Sequence, residues 1–285
     1  GLLSKRTLNA MTETRAAVTI DFELFRHTPA FRKANGTISD DTLGLAATDF
    51  LLEAFDAAGV TTTFFVVSEI AEDHPEVTEQ IAGAGHEIAS HTHSHRLLSE
   101  LDENERHREL SQSREILASA CGQSVSGFRA PAFDLYDGYF ADLAEAGYDY
   151  DSSINPCRAI PGWYGGQHSV RRAVPATTIA SNAPPGLGEI PIAVSPYLEL
   201  PLSGAWTRLL GRRYTLWGTQ AIADDGVPPV LYFHPWEFVD LPDVDGVPWR
   251  VTWRTGEWMR ETLERILSLP LDFVPLSDLA VDLTG

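Results

Sequence analysis

The segment GHEIASHTHSH, residues 85–95, concentrates histidines at a spacing suited to metal binding. His91 and His95 are four residues apart, so one turn of helix would place both imidazoles on the same face. Two neutral imidazoles at this spacing would form half of a divalent metal site. His93 would point elsewhere, and we expect it to form hydrogen bonds within the loop. Because residues 86–90 have the pattern of a short strand, the pair should lie where a strand gives way to a helix, and α/β folds bind ligands there.

Other residues that can do chemistry also stand at the ends of strand-like segments. Residues 16–22 form an apolar, β-branched run, with Asp21 near its end and Glu23 just after it. Side chains alternate along a strand, so these two carboxylates should face the same side. Glu23 with two imidazoles would leave coordination positions open for water and substrate, a composition typical of catalytic zinc. Later strand ends carry three more candidates, which are Arg129, Asp151 and His234.

The elements that must position these residues alternate along nearly the whole chain. The hydrophobic pattern predicts strands at residues 16–22, 61–67, 86–90, 126–131, 148–154 and 228–236. It predicts helices at residues 43–59, 102–122, 139–147 and 255–269. Such alternation indicates parallel βαβ units, whose strand ends meet at one rim in a barrel. Residues 155–188, rich in Pro, Gly, Ser and Arg, should form a long loop. We therefore predict one barrel-like domain at 16–285 after an N-terminal extension at 1–15.

The composition excludes some classes of partner. The chain of 285 residues has 40 acidic and 21 basic residues, a formal net charge of −19, and only two lysines. Such a surface should repel nucleic acid and anionic membranes, and it resembles the acidic surfaces of proteins from salt-loving organisms. Cys121 and Cys157 form no CxxC pattern and are expected to be unpaired thiols. The sequence has no apolar run of transmembrane length and no secretory signal, so a cytoplasmic protein is expected.

Five segments resemble, in order, the motifs of the polysaccharide deacetylases of carbohydrate esterase family 4, the NodB homology superfamily. They are TIDFE (19–23), HTHSH (91–95), FRAPAF (128–133), YDYDSS (148–153) and LYFHPWE (231–237). The first follows a variant with one residue between the two carboxylates, which are adjacent in the standard form. The HPWE form and residues 201–212 are most similar to the exopolysaccharide-associated branch. The resemblance covers nearly the whole chain.

The resemblance implies a single distorted (β/α)7 TIM-like barrel and metal-assisted removal of an acetyl group from an N-acetylated sugar. By position, Asp21 is the general base, and Glu23, His91 and His95 hold one divalent metal ion. Zinc is the first expectation for that ion, with cobalt, manganese and nickel as alternatives. His234 would protonate the departing amine.

The resemblance also implies supporting roles around these residues. Arg129 should pair with Asp21, and Asp151 should orient His234, with Asp149 as the alternative because it shares the strand face of Asp151. The same pattern leaves Glu237 open, either near the site or as a structural carboxylate.

Further positions concern the substrate. The backbone N–H of Ala132 should hold the oxyanion, and Phe133 and Trp236 should contact the sugar. Ala132 stands where the family usually has an aromatic residue, so the acetyl pocket or sugar platform should differ. Trp163 and Trp206, in loop segments, could stack on sugar rings.

The expected substrate is an N-acetylated polysaccharide, glycolipid or surface-glycan precursor. Two alternatives remain open: an amidohydrolase of the same fold acting on a cyclic amide or a small acetylated amine, and a non-catalytic metal- or glycan-binding protein. Asp21 and His234 favour catalysis, because binding alone needs neither a base nor an acid. The sequence leaves the oligomeric state open.

Overall fold

The computed structural model describes residues 14–34, 38, 42–161 and 164–284. Nearly all of the predicted N-terminal extension, and Trp163, lie outside these ranges. Within them the backbone forms nine strands: β1 (Arg15–Phe22), β2 (Thr63–Val66), β3 (Glu87–Ser90), β4 (Gly127–Phe128), β5 (Tyr150–Asp151), β6 (Val174–Pro175), β7 (Gly188–Glu189), β8 (Val230–Phe233) and β9 (Asp272–Phe273).

Helices follow most of these strands, as the alternation predicts. In the described ranges they are α1 (Pro29–Lys33), α2 (Thr48–Ala58), α3 (Ser68–Asp73), α4 (Pro75–Gly83), α5 (Glu103–Cys121), α6 (Tyr139–Glu145), α7 (Gly204–Leu210), α8 (Arg212–Asp224), α9 (Trp249–Thr252), α10 (Glu257–Leu267) and α11 (Leu276–Thr284). None of the described helices is both long and apolar enough to cross a membrane.

β1 is an interior strand of the sheet, between β2 and β8, and its sequence explains why. Seven of its eight residues are buried, as expected for a parallel strand covered on both faces. β1 pairs in parallel with β2 and β8, since Ile20 lies opposite both Phe64 and Phe233. Its first residues also pair with β9. The carboxyl end of β1, which carries Asp21, is therefore flanked by strand ends on both sides.

The sheet curls into a distorted barrel. Its order is β6-β7-β5-β4-β3-β2-β1-β8, with β9 beside β1, and only the β6–β7 pair is antiparallel. Residues after β7 reach across the gap: Ile192 N donates to Ile154 O, and Ala193 N donates to Val230 O. The predicted fold class, an α/β distorted barrel, is confirmed.

Side-chain alternation along β1 separates two cores. Val18 and Ile20 face the larger core under the helices, whereas Ala17 belongs to a smaller cluster inside the barrel that α11 helps to cover. By the same alternation Thr19 and Asp21 face the barrel interior, so the chemistry lies inside the rim.

Candidate active site

The histidine segment after β3 is a loop and not a helix. Thr92 and His95 have positive φ angles of 66° and 56°, which interrupts any helical turn. The Thr92 hydroxyl accepts a hydrogen bond from His95 N at 3.1 Å and folds the loop back. This fold still brings the rings of His91 and His95 to a centroid distance of 4.9 Å. The prediction that a helical turn stacks them was therefore wrong, and loop closure produces the pairing.

Glu109 of α5 holds this loop and was missed in the sequence. Its carboxylate accepts from the backbone N–H groups of His93 at 2.8 Å and of Ser94 at 2.9 Å. Glu109 lies on the buried face of α5, and its role comes from the packing of that face against the loop, so no sequence motif indicated it. The His93 ring bonds to Ser68 Oγ of α3 at 2.9 Å, so its ring partner lies on a neighbouring helix and not within the loop as expected.

Glu23, His91 and His95 converge as predicted for a metal centre. Each offers one ligand atom, and these atoms all lie within 4.8 Å of one another. His91 Nδ1 lies 2.8 Å from the carbonyl oxygen of Arg129, so its Nε2 lone pair is left for a metal. The indole N–H of Trp236 donates to Glu23 Oε1 at 3.1 Å and orients that carboxylate.

The surroundings of Glu23 and His91 keep the first ionised and the second neutral, which are the protonation states that bind a metal ion. Burial by itself would raise the pKa of Glu23, but the adjacent His95, His234 and His91 outweigh it and lower the pKa. Burial lowers the pKa of His91 to about 4, so its imidazole is neutral near pH 7. A carboxylate beside a neutral imidazole suits a divalent ion such as zinc. The residues present therefore fit the implied metal.

Asp21 lies beside this centre and forms an ion pair with Arg129. Arg129 Nη1 lies 2.5 Å from Asp21 Oδ1, and both side chains are buried. The same guanidinium donates to Thr19 Oγ1 at 2.8 Å and to Ser152 O at 2.9 Å, and it lies over the Phe65 ring. Arg129 is thus clamped from several sides, which fixes the position of the Asp21 carboxylate.

His234 follows β8 and lies close to Glu23. Its Nε2 is 3.8 Å from Glu23 Oε1, and its Nδ1 is 3.3 Å from Glu237 Oε2. Burial alone would lower the pKa of His234, but Glu237 and the charge of Glu23 raise it to about 9. The ring therefore carries a proton that its Nε2 can present to the site.

The predicted contact between Asp151 and His234 is absent. Asp151 Oδ1 accepts from Tyr139 at 2.9 Å and from Ser153 Oγ at 2.6 Å, and burial raises the pKa of its carboxyl group. The side chain faces Tyr139 of α6, whereas the described partner of His234 is Glu237. Asp149, the alternative, is exposed.

Ala132 and Phe133, in the segment that follows β4, have a strained backbone. Both adopt positive φ angles, 53° and 58°, which cost non-glycine residues energy and are enriched at functional sites. They border an open cavity of about 220 Å³, whose lining residues include Ala132, Phe133, Ser153, Asn155, Tyr164 and His168. The cavity is lined by two positions predicted to contact substrate, and its lining does not include the predicted metal ligands, Asp21 or His234.

The tryptophans differ from their predicted role in sugar contact. Trp236 is only 6% exposed, and its ring stacks on His234 at 4.9 Å, so it supports the site and offers little surface to a sugar. Trp206 is partly buried against the main core, and its indole N–H donates to Tyr164.

The fold and the site define the class of protein: an α/β barrel with a carboxylate–imidazole centre, a clamped aspartate and a histidine at one rim. Residues 27–150 match the family model described as polysaccharide deacetylase. Residues 152–277 match a model described as a domain of unknown function (DUF3473). Over residues 27–150 the chain is therefore similar to the polysaccharide deacetylase family.

Relatives agree with this assignment over part of the chain. A peptidoglycan-N-acetylglucosamine deacetylase of Bacillus cereus is 34% identical over 34% of this chain and 36% of the relative. A chitooligosaccharide deacetylase of Rhizobium leguminosarum is 33% identical over 30% of this chain and 39% of the relative. The matched region thus spans little more than a third of each of these relatives.

One solved structure is similar over almost the whole chain. It is a Mycobacterium smegmatis protein provisionally described as a polysaccharide deacetylase. Its TM-score is 0.66 at 26% identity, over 95% of this chain and 90% of that one.

Proposed function

We propose that the protein is a metal-dependent de-N-acetylase that hydrolyses the acetamide of an N-acetylated sugar in a polysaccharide, glycolipid or surface-glycan precursor. The observation that carries this is that the Glu23–His91–His95 centre is accompanied by a fixed carboxylate and an imidazole. Asp21, two residues before Glu23, is held by Arg129, and His234 Nε2 lies 3.8 Å from Glu23 Oε1. A binding site alone needs neither a fixed base nor a proton donor. The N-acetylated substrate class rests on the family and on the relatives' names.

Glu23, His91 and His95 would hold the metal ion through the buried oxygen and nitrogen atoms described above. When bound, a divalent ion supplies Lewis acidity toward the acetamide carbonyl and lowers the pKa of water.

The chain's own residues account for the proton movements. Asp21 accepts one proton from the attacking water while the new C–O bond forms at the acetamide carbon. The backbone N–H of Ala132 would donate to the developing oxyanion. His234 then gives its proton to the sugar nitrogen as the C–N bond breaks, which releases acetate and a free amine. Exchange of protons with solvent returns Asp21 and His234 to their starting states.

Acetate release from N-acetylglucosamine oligomers tests the proposal. Asp21→Asn should keep most of the bound zinc but lower turnover by roughly 10²–10⁴-fold, whereas His95→Ala should lose both. Zinc content is measured by elemental analysis of dialysed protein. His107→Ala, at an exposed position, is the matched control and should change neither quantity. Undiminished turnover in Asp21→Asn would sink the assignment of the base.

A substrate panel separates the rivals that share the fold. Cyclic ureides and small acetylated amines are assayed beside the oligomers under the same conditions. Faster hydrolysis of either rival class than of the oligomers would overturn the sugar assignment. Stoichiometric metal binding without hydrolysis of any of them would favour a binding protein.

A further inference from the structure

The Glu237 carboxylate contacts both the backbone and the ring of His234. Glu237 Oε2 accepts from the His234 backbone N–H at 2.9 Å and lies 3.3 Å from the imidazole Nδ1. The carboxylate is fully buried, so no water competes for these contacts. A carboxylate that accepts from Nδ1–H leaves Nε2 as the nitrogen that faces the site.

Arg208 of α7 fixes the other oxygen of this carboxylate. Its Nε and Nη2 lie 3.1 Å and 3.0 Å from Glu237 Oε1, and Arg208 is itself 1% exposed. Its Nη1 donates to three backbone carbonyl groups, those of Arg250, Val251 and Trp253. Burial alone would raise the pKa of Glu237, but the charge of Arg208 and the contact with His234 lower it. Glu237 therefore remains an anion with a fixed orientation.

Gly204, the first residue of α7, leaves the space that this carboxylate occupies. A Cβ atom at position 204 would overlap both carboxylate oxygens of Glu237. Its φ is not in the left-handed region, so the requirement for glycine here is one of space and not of backbone conformation. The sequence SGAWTR thus supplies the gap at Gly204 and the cation at Arg208 one turn later.

We propose that Glu237, set by Arg208 and Gly204, is the positioning residue of His234, in the place where the family resemblance had put Asp151. The proposal rests on the proposed deacetylation for its effect on turnover. Glu237 holds Nδ1 and thereby keeps the Nε2 proton directed at the sugar nitrogen. Asp151, bonded to Tyr139 and Ser153, serves the fold around β5.

The choice of leaving group separates a positioning role for Glu237 from a merely structural one, because a structural defect would slow amide and ester hydrolysis alike. A sugar amine must be protonated as it leaves, whereas 4-nitrophenolate leaves 4-nitrophenyl acetate without a proton. Glu237→Gln should lower kcat on N-acetylglucosamine oligomers by roughly 10²-fold with little change in KM, and should lower 4-nitrophenyl acetate hydrolysis by less than about threefold. Asp21→Asn should lower both rates.

Two further variants keep the test decisive. Gly204→Ala keeps the charges of Glu237 and Arg208 but displaces the Glu237 carboxylate, so it should shift the amide-to-ester ratio in the same direction as Glu237→Gln. It therefore tests the same role if Glu237→Gln folds poorly. In a His234→Ala background, Glu237→Gln should cost no further amide activity, because its effect acts through the absent ring. Asp151→Asn is the matched control and should leave the ratio within about twofold.

Proton NMR gives a readout that is independent of turnover. The hydrogen-bonded Nδ1 proton of His234, assigned by its loss in His234→Ala, should resonate at low field in the wild type and move upfield in Glu237→Gln. An unmoved signal, or an unchanged amide-to-ester ratio in both Glu237→Gln and Gly204→Ala, would overturn the positioning role. If the wild type releases no acetate from the oligomers, the proposed function fails, while the NMR shift still decides the role of Glu237.

Discussion

Arg129 Nη1 lies 2.5 Å from Asp21 Oδ1, with both side chains buried at the carboxyl end of β1. Breaking a buried pair by removing one partner leaves an uncompensated charge, which costs about 3–5 kcal/mol. Arg129→Ala should therefore lower the free energy of unfolding by that amount in urea titrations. Arg96→Ala, which breaks an exposed ion pair with Glu105, is the control and should cost less than about 1 kcal/mol. Equal effects of the two substitutions would show that the buried pair contributes little.

Gly127 in β4 should not tolerate a side chain. A Cβ there would overlap the phenol of Tyr150, whose hydroxyl donates to Glu87 at 2.8 Å. Gly127→Ala should destabilise the fold by about 1–3 kcal/mol through overpacking. Gly83→Ala on α4 meets no atom within 4 Å and should leave stability unchanged or raise it by up to about 1 kcal/mol. Thermal unfolding of the two variants side by side tests this contrast.

Metal removal should lower thermal stability through the Glu23–His91–His95 centre. A ligand at 100 times its Kd stabilises the folded state by about 2.7 kcal/mol. Chelation should accordingly lower Tm by several degrees, and zinc should restore it. His95→Ala should lack both responses. An identical response in His95→Ala would place the stabilising metal elsewhere.

His86 should make stability fall in mild acid. Burial lowers its pKa to about 4, below the ordinary value of about 6.5. Between these values the unfolded chain binds a proton that the folded chain does not, so this contribution is complete above about pH 6.5 and is lost as pH falls toward 4. The slope approaches ~1.4 kcal/mol per pH unit. Urea unfolding from pH 7 to 4 should be less pH-dependent in His86→Gln than in the wild type, with exposed His107→Gln as the control.

The net charge of −19 should make stability depend on salt. Repulsion among unbalanced acidic groups destabilises the folded state and is screened at high ionic strength. We expect Tm to rise steadily as potassium chloride increases. The highest Tm at the lowest salt concentration would contradict a halophile-like surface.

The two cysteines illustrate what local pattern predicts well. Cys121 and Cys157 are free, as their spacing indicated. β1 likewise begins and ends within one residue of its predicted limits, because a buried parallel strand is a continuous apolar run. β4 and β5 are only two residues long, since their predicted continuations leave the sheet at the rim.

The sequence by itself determined the alternation of strands and helices, and it predicted Glu23, His91 and His95 as the members of one candidate metal site. These follow from periodicity and from residue chemistry along short stretches of chain. Only the tertiary structure decided that His91 and His95 meet through a loop held by Glu109, and that Glu237 contacts His234 where Asp151 was expected. Glu237 lies only three residues after His234, but Glu109 reaches the loop from α5, and Arg208 and Gly204 act on Glu237 from α7. These contacts from separate helices have no signature in the spacing of residues along the chain.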